Sequence, residues 1–309
     1  MKWDIPIGEE IHPGNLGCQG CGGALAMRLA LKALGPDTVA VIPACCWSVI
    51  DGLFPVHALQ IPVFHTAFET AAVAASGIKA AKDVQGKGTT VMAWAGDGGT
   101  FDIGIQALSG AAERNEDIIY ACYDNEAYMN TGIQRSSATP PGTWTTTTPD
   151  ERPESRPKKN IMEIMAAHRI PYAATCTPAY PDDMLRKFRK AKGIKGTRFL
   201  HILSVCPPGW KMPSDQAIEV MRLAVQSRVF PLYEIEDGLA YTMSLWPTQP
   251  VAPEDYFRAQ GRFRPLFEEA SRLERIKTYV DQQWETLVRR HRRSHPDEAG
   301  IPEGEPAVR

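Results

Sequence analysis

Apolar and polar positions along the first two thirds of the chain alternate between short strand-like runs and longer stretches of helical period. Thr89-Thr90-Val91-Met92-Ala93-Trp94-Ala95 is an unbroken apolar run, followed by a helical stretch from about Ile103 to Arg114 and a second run, Ile118-Ile119-Tyr120-Ala121-Cys122-Tyr123. Upstream, Ala24 to Leu34 reads helical and stops at Gly35, Thr38 to Ile42 and Ile61 to Phe64 read as strands, and Ala67 to Lys82 as an Ala-rich helix. Downstream, Asn160 starts a helix with Glu163 three residues on, a capping-box pattern. Strand Tyr172 to Cys176, helix Asp182 to Lys192 and strand Arg198 to Ser204 complete the alternation. The order predicts an α/β fold, a mostly parallel sheet with helices on both faces.

From Met212 onward the pattern changes. A helix is expected from Ser214 to Val225, then the run Pro231-Leu232-Tyr233-Glu234 and a Pro-punctuated segment to Pro253. A long helix from about Pro265 to Arg293 carries Leu266, Ala270, Leu273, Ile276, Val280, Trp284 and Leu287 as an apolar stripe made for docking. Residues 1–210 are therefore expected to form the α/β domain. Residues 211–309 are expected to form a helical C-terminal extension, closing in a loose tail with Pro296, Pro302 and Pro306.

A chain of 309 residues can bury one large core plus an appendage. Net charge is −2, with 34 basic and 36 acidic residues, which gives no reason to expect nucleic acid or an anionic membrane as partner. No run approaches the length of a membrane span, and Met1-Lys2-Trp3-Asp4-Ile5-Pro6 lacks the apolar core of a signal peptide, so a cytoplasmic protein is expected. Seven cysteines, an odd number, argue against a disulfide framework. Cys122 and Cys176 sit in apolar strands as small hydrophobes; Cys18, Cys21, Cys45, Cys46 and Cys206 need another account.

Two strand ends carry candidate chemistry. Gly96-Asp97-Gly98 ends the first apolar run and Asp124-Asn125 the second, so a carboxylate and an amide oxygen are presented together, the hard donors Mg²⁺ prefers. Gly98 and Gly99 let backbone approach an anion with no Cβ in the way. Four thiolates from Cys18, Cys21, Cys46 and Cys206 could hold Zn²⁺ or a [4Fe–4S] cluster, and spacing alone does not decide. The Pro- and Thr-rich stretch 139–159 is too long for an ordinary connector; it reads either as a surface loop or as a flap ordered by a cofactor or partner. His65, at a strand end near Glu69, reads as a packing or capping residue, the alternative being contact with a cofactor. His12, His57, His168, His201, His291 and His295 show no metal-ligand spacing.

The Gly-Asp-Gly with Asn125 following 27 residues after Gly98 resembles the thiamine diphosphate (TPP) signature. The stretch Asp124-Asn125-Glu126-Ala127-Tyr128-Met129-Asn130-Thr131-Gly132-Ile133-Gln134 resembles the β subunits of 2-oxoacid:ferredoxin oxidoreductases. So do Gly17-Cys18-Gln19-Gly20-Cys21-Gly22 and Cys206-Pro207-Pro208-Gly209-Trp210. The likeness runs from about Gly17 to Gly238, and more weakly through Gln260-Gly261-Arg262-Phe263. It is nearest to the separate β chains of pyruvate and branched-chain oxoacid enzymes.

The resemblance implies TPP-dependent oxidative decarboxylation of a 2-oxoacid to acyl-CoA and CO₂. Pyruvate is the leading substrate, with 2-oxoisovalerate, phenylglyoxylate and oxalate open. It places Mg²⁺ on Asp97, Asn125 and the carbonyl of Ala127, the diphosphate along Gly96, Gly98 and Gly99, and Asn130 against the substrate. It puts one [4Fe–4S] cluster on Cys18, Cys21, Cys46 and Cys206, with Cys46 also beside the cofactor; Cys46 rather than Cys45 matches the spacing from Cys21. Gly23 stands where fused relatives have a Glu that touches TPP, which puts one contact in doubt. No candidate appears for the glutamate that activates the cofactor's aminopyrimidine, so an α-type subunit is expected to supply it. The chain also lacks a CxxCxxCxxxCP run, so ferredoxin-like δ and γ subunits or domains and soluble ferredoxin are expected to relay electrons. Two rival readings are a non-redox TPP decarboxylase or carboligase subunit with structural zinc, and a catalytically silent interaction subunit.

Overall fold

The computed structural model describes residues 5–247 and 251–298; the tail expected beyond them and the first four residues lie outside the described residues. Helix α1 (Gly22–Leu34) leads to β1 (Thr38–Pro43), α2 (Cys46–Asp51), β2 (Val63–Thr66) and α3 (Ala71–Val84). Strand β3 (Thr90–Gly96) runs into a π-helical turn, Gly98–Ile103, then α4 (Ile105–Glu113) and β4 (Ile119–Asp124). The alternation continues through α5 (Ile161–Ala167), β5 (Tyr172–Cys176), α6 (Pro181–Gly193) and β6 (Arg198–Leu203). Next come α7 (Pro207–Trp210), α8 (Ala217–Gln226) and the hairpin of β7 (Tyr233–Glu236) with β8 (Ala240–Met243). The last helices are α9 (Pro253–Arg258), α10 (Arg264–Glu268) and α11 (Ala270–Ser294).

The eight strands among the described residues form one sheet in the order β2-β1-β3-β4-β6-β5-β7-β8. The first six are parallel, and β7 and β8 extend the β5 edge in antiparallel fashion. This is the expected mostly parallel α/β sheet with a helical C-terminal part. The apolar runs of β3 and β4 are continuous because both faces of the sheet are covered. Val91, Ala93 and Ala95 join one core with Leu108, Ala111 and Trp284, while Met92 and Trp94 join the other with Leu29, Leu31 and Trp47. Trp94 meets Trp47 edge-on at 6.3 Å and stacks on Tyr123 at 5.8 Å, near the carboxyl ends of β3 and β4.

The hairpin, which the sequence pattern did not reveal beyond Pro231–Glu234, is held by charge. Glu234 accepts from Tyr172 Oη and Lys190 Nζ, both at 2.8 Å, and pairs with Arg186 at 2.6 Å. Burial raises its carboxyl, but the Arg186 and Lys190 hydrogen bonds outweigh that and hold it at about 2. The buried Lys187 ammonium is fully used, donating to Thr175 O, Asp183 Oδ2 and Ser244 Oγ.

Several boundaries differ from expectation: the strand expected at Ile61–Phe64 lies at Val63–Thr66, and the helix expected from Ser214 opens with a 3₁₀ turn before α8. The single helix expected over 265–293 is broken at Glu269, which is extended (φ −141°, ψ 109°). The break lets Leu266 of α10 seat on Gly142, while α11 runs along β8, where Ser294 Oγ accepts from Tyr241 N–H. The helix expected from Ala67 starts at Ala71, because Thr66 and Thr70 hydroxyls share a hydrogen bond and Thr70 Oγ1 caps Ala67 O. The 139–159 stretch is packed, with Thr139, Thr143, Thr145 and Glu154 buried. Its Trp144 N–H donates to Arg262 O (2.8 Å), and Glu154 pairs with Arg135 (2.5 Å). No helix among the described residues is long and apolar enough to cross a membrane.

Candidate active site

Parallel strands leave their carboxyl ends on one side of the sheet, and ligand crevices open there. At the ends of β3 and β4 lies a cavity of about 340 Å³. Gly96, Asp97, Gly98 and Gly99 line it from β3 and the π turn, Asn125, Ala127 and Asn130 from the segment after β4, and Cys46 from the start of α2. A Cβ at Gly98 would strike the Tyr128 ring, which Asp102 Oδ2 fixes through the phenol at 2.6 Å. The backbone there must stay bare. The π turn, which sequence periodicity did not expose, closes through Gly104 N–H to Gly99 O (2.9 Å).

Three oxygen-bearing groups meet in the cavity wall. In the orientation that satisfies its neighbours, the Asn125 amide nitrogen donates to Asp97 Oδ1 (2.9 Å) and Ala127 O (3.0 Å). Ser136 Oγ donates to the other Asp97 oxygen at 2.5 Å. Burial, then the nearby Asp124 charge, pushes the Asp97 carboxyl well above its ordinary range. Carboxylate, amide and backbone carbonyl are a donor set suited to Mg²⁺, whose charge would reverse that shift; the amide would turn to offer its oxygen.

Beside this set runs a buried ionic network that no sequence pattern announced. Asp124 Oδ2 lies 2.7 Å from His201 Nε2 and 2.5 Å from Lys158 Nζ. Lys158 also reaches Glu126 Oε1 (2.7 Å), and Arg262 reaches Glu126 Oε2 (2.5 Å). Burial works against the Asp124 charge, yet Lys158 and His201 hold it at about 2. Burial lowers the His201 ring below its ordinary value, with Asp124 only partly offsetting it. Removing one member of such a network leaves a buried charge alone, at a cost of about 3–5 kcal/mol. His65, by contrast, makes a single link, to Asp51 at 3.3 Å.

The thiols gather on the α1 side. Cys21 N–H donates to Cys18 O (3.0 Å), and Gly22 N–H to Val205 O (3.0 Å), which sets the Cys18–Cys21 turn against the Cys206 turn. The Cys46 thiol is pushed up to about 12, by burial first and then by Cys206, Cys45, Cys21 and Asp97. Cys206 rises to about 11, by burial and then by Cys21 and Cys18 after a small relief from Gly209 N–H. No three His, Cys, Asp or Glu side chains among the described residues converge on one ion. A bound cation, zinc or an iron–sulfur centre, would offset the thiols' mutual penalty, so their donor chemistry is compatible with either. Cys45 lines the same cavity as Cys46: its backbone N–H donates to Ser48 Oγ (3.2 Å) at the N-terminus of α2, and its thiol faces Tyr123.

Comparison with known proteins places this site in context. The family model described as the C-terminal TPP binding domain of thiamine pyrophosphate enzymes matches residues 51–202. Ketoisovalerate oxidoreductase subunit VorB of Pyrococcus furiosus is 48% identical over 293 residues, covering 92% of this chain and 94% of the relative. Pyruvate synthase subunit PorB of Methanothermobacter marburgensis is 50% identical over 281 residues, covering 90% and 96%. Among solved structures, 2-oxoglutarate:ferredoxin oxidoreductase from Magnetococcus marinus, with 2-oxoglutarate, coenzyme A and succinyl-CoA bound, aligns over 69% of this chain and 79% of that one. Its TM-score is 0.56 at 21% identity, a likeness of fold.

Proposed function

We propose, for a chain that belongs to the β subunits of 2-oxoacid:ferredoxin oxidoreductases, a catalytic role built on the shared wall between its oxygen donors and its thiols. The protein is an oxidoreductase that acts in TPP-dependent oxidative decarboxylation of a 2-oxoacid, as one subunit of a hetero-oligomeric complex. The observation that carries the finer reading is Cys46. It lines the same cavity as Asp97 and Asn125, and its thiol also feels Cys21 and Cys206.

When bound, TPP supplies the electron sink that lets a 2-oxoacid lose CO₂. Asp97, Asn125 and the Ala127 carbonyl would hold its Mg²⁺, and the bare backbone of Gly98 and Gly99 would admit the diphosphate. Asn130, exposed at the cavity mouth, would hydrogen-bond the substrate's carbonyl oxygen as charge develops there. A [4Fe–4S] cluster on Cys18, Cys21, Cys46 and Cys206 would supply a one-electron acceptor beside the cofactor. Residues 1–210 would form this unit and residues 211–309 an extension that reaches back to it through Arg262.

An α-type subunit would donate the activating carboxylate. Coenzyme A as acyl acceptor, and ferredoxin-like δ and γ subunits with soluble ferredoxin as electron carriers, complete the proposal. Pyruvate is the first substrate and 2-oxoisovalerate the second, since relatives of similar identity carry both names.

The test is anaerobic purification of the complex, iron, zinc and sulfide analysis per β chain, and viologen reduction on adding each oxoacid. Brown protein that reduces dye with one oxoacid supports the reading. Colourless protein holding zinc, with no dye reduction, overturns it.

A further inference from the structure

Glu126 does not line the cofactor cavity; it lines a different one, of about 380 Å³. Yet it sits in the chain between Asn125 and Ala127, at φ +68°, a conformation that glutamate seldom adopts. All of its polar groups are engaged. Its N–H donates to Asp124 Oδ1 (2.9 Å), and its carbonyl accepts from Thr139 Oγ1 (2.7 Å). Its carboxylate accepts from Lys158 Nζ (2.7 Å) and Arg262 Nη2 (2.5 Å).

The two cations come from outside the strand–helix–strand unit, Lys158 from the 139–159 stretch and Arg262 from just before α10. The Arg262 guanidinium also lies 3.7 Å from the centre of the Trp210 ring, and Trp210 Nε1 donates to Asn125 O at 2.7 Å. Trp210 belongs to the turn that begins at Cys206. The donors on either side of Glu126 are therefore held from two directions, by its carboxylate and by the indole.

We propose that Arg262 and Lys158 are positioning residues: through Glu126 they hold Asn125 and Ala127 in the backbone conformation that grips Mg²⁺ and the diphosphate, and through Trp210 Arg262 keeps that loop in register with the Cys206 turn. The inference rests on the TPP reading of the site. It assigns to the 139–159 stretch and the C-terminal extension a share in cofactor retention. Arginine is needed at 262 because a flat guanidinium can bond a carboxylate and stack on an indole at once, which an ammonium cannot do.

The experiment uses the complete complex, stripped of cofactor, with Arg262→Met, Arg262→Lys, Glu126→Gln and the double variant Arg262→Met/Glu126→Gln. TPP is titrated calorimetrically at several Mg²⁺ concentrations, and the melting of each cofactor-free complex is recorded. Arg262→Met and Glu126→Gln are expected to weaken TPP binding about 10–100-fold, as loss of outer-shell partners does at metal sites. Arg262→Lys should fall between, and the double variant should bind no worse than the weaker single one. The loss should appear in the apparent cofactor constant rather than in kcat at saturating cofactor.

Unchanged affinity in the variants overturns the proposal, as does a lowered melting temperature with affinity intact. Should Arg262→Met fail to assemble, the TPP affinity of Arg262→Lys decides between the two outcomes. Wild-type complex that binds no TPP would instead sink the underlying reading of the site.

Discussion

Gly22→Ala tests how closely the two cysteine turns must pack. A Cβ at Gly22 would stand 2.6 Å from Val205 N, 2.9 Å from Ser204 C and 3.0 Å from Ser204 Cα. All three are backbone atoms at the end of β6, so no side chain can rotate aside. Non-bonded heavy atoms rest about 3.5–4 Å apart, so the first turn of α1 must retreat by about 1 Å. The Gly22 N–H to Val205 O hydrogen bond stretches with it. Overpacking of this kind costs about 1–3 kcal/mol, and the weakened hydrogen bond adds about 0.5–1.5 kcal/mol. A total of about 1.5–4.5 kcal/mol lowers Tm by roughly 3–18 °C, at about 2–4 °C per kcal/mol for domains of this order of size. Cys21 moves away from Cys206 in the same step, so if the proposed cluster is bound there, iron and sulfide per β chain should fall together with Tm. Gly77→Ala is the control: it is exposed within α3 with nothing near its missing Cβ, and alanine there should stabilise by up to about 1 kcal/mol. Gly22→Ala protein with wild-type iron and wild-type Tm would refute the packing argument.

Other outcomes follow from the charges. Asp97→Asn removes the carboxylate but not its shape; calorimetry should find Mg²⁺ and TPP binding lost, while Tm of the cofactor-free complex holds or rises because a costly buried charge is gone. In the wild type, burial and Asp124 raise the folded Asp97 carboxyl above its unfolded 3.8, so a proton competes with the cation. Mg²⁺ affinity should therefore fall as pH drops below the raised value, and the cofactor-free protein should lose part of its stability as pH rises above 3.8. A flat Mg²⁺ affinity across that range would contradict the assignment. Glu234 has the opposite sign: held at about 2 when folded against 4.5 unfolded, it stabilises fully above 4.5 and loses its contribution as pH falls toward 2. The Tm gap between wild type and Glu234→Gln should narrow through that window, and a gap independent of pH would show that the hairpin is not held by this carboxylate.

Much of the fold was legible because both faces of the sheet are buried, which leaves the stretches leading to Ala95 in β3 and Tyr123 in β4 as apolar runs bounded by polar turns. The positions Gly96 to Gly99, Asn125, Ala127, Asn130 and Cys46 could be picked from one strand–helix–strand spacing and a family likeness, and the structure brings them to one cavity. Cys18, Cys21 and Cys206 lie off that cavity, reached through Cys46. What stayed hidden depends on distance along the chain. Glu126 meets Lys158 across 32 positions and Arg262 across 136, and no local pattern encodes such pairs. His201 read as one more residue in a strand, and only the fold sets it against Asp124. Short elements escaped for another reason: α2 and the π turn are too brief to display a period, and the break at Glu269 interrupts an apolar stripe that itself runs on unbroken.

The position of Arg262 also orders events at the ribosome. Chains grow at about 5–20 residues per second, so roughly 7–27 seconds separate the synthesis of Glu126 from that of its last partner. During that interval strands β5 to β8 are made, while the Glu126 carboxylate has at most one of its two cations. The loop between Asn125 and Ala127 gains its final restraint only when the C-terminal extension has emerged. A nascent or truncated chain thus holds an unfinished loop, and the finished one is a property of the whole polypeptide.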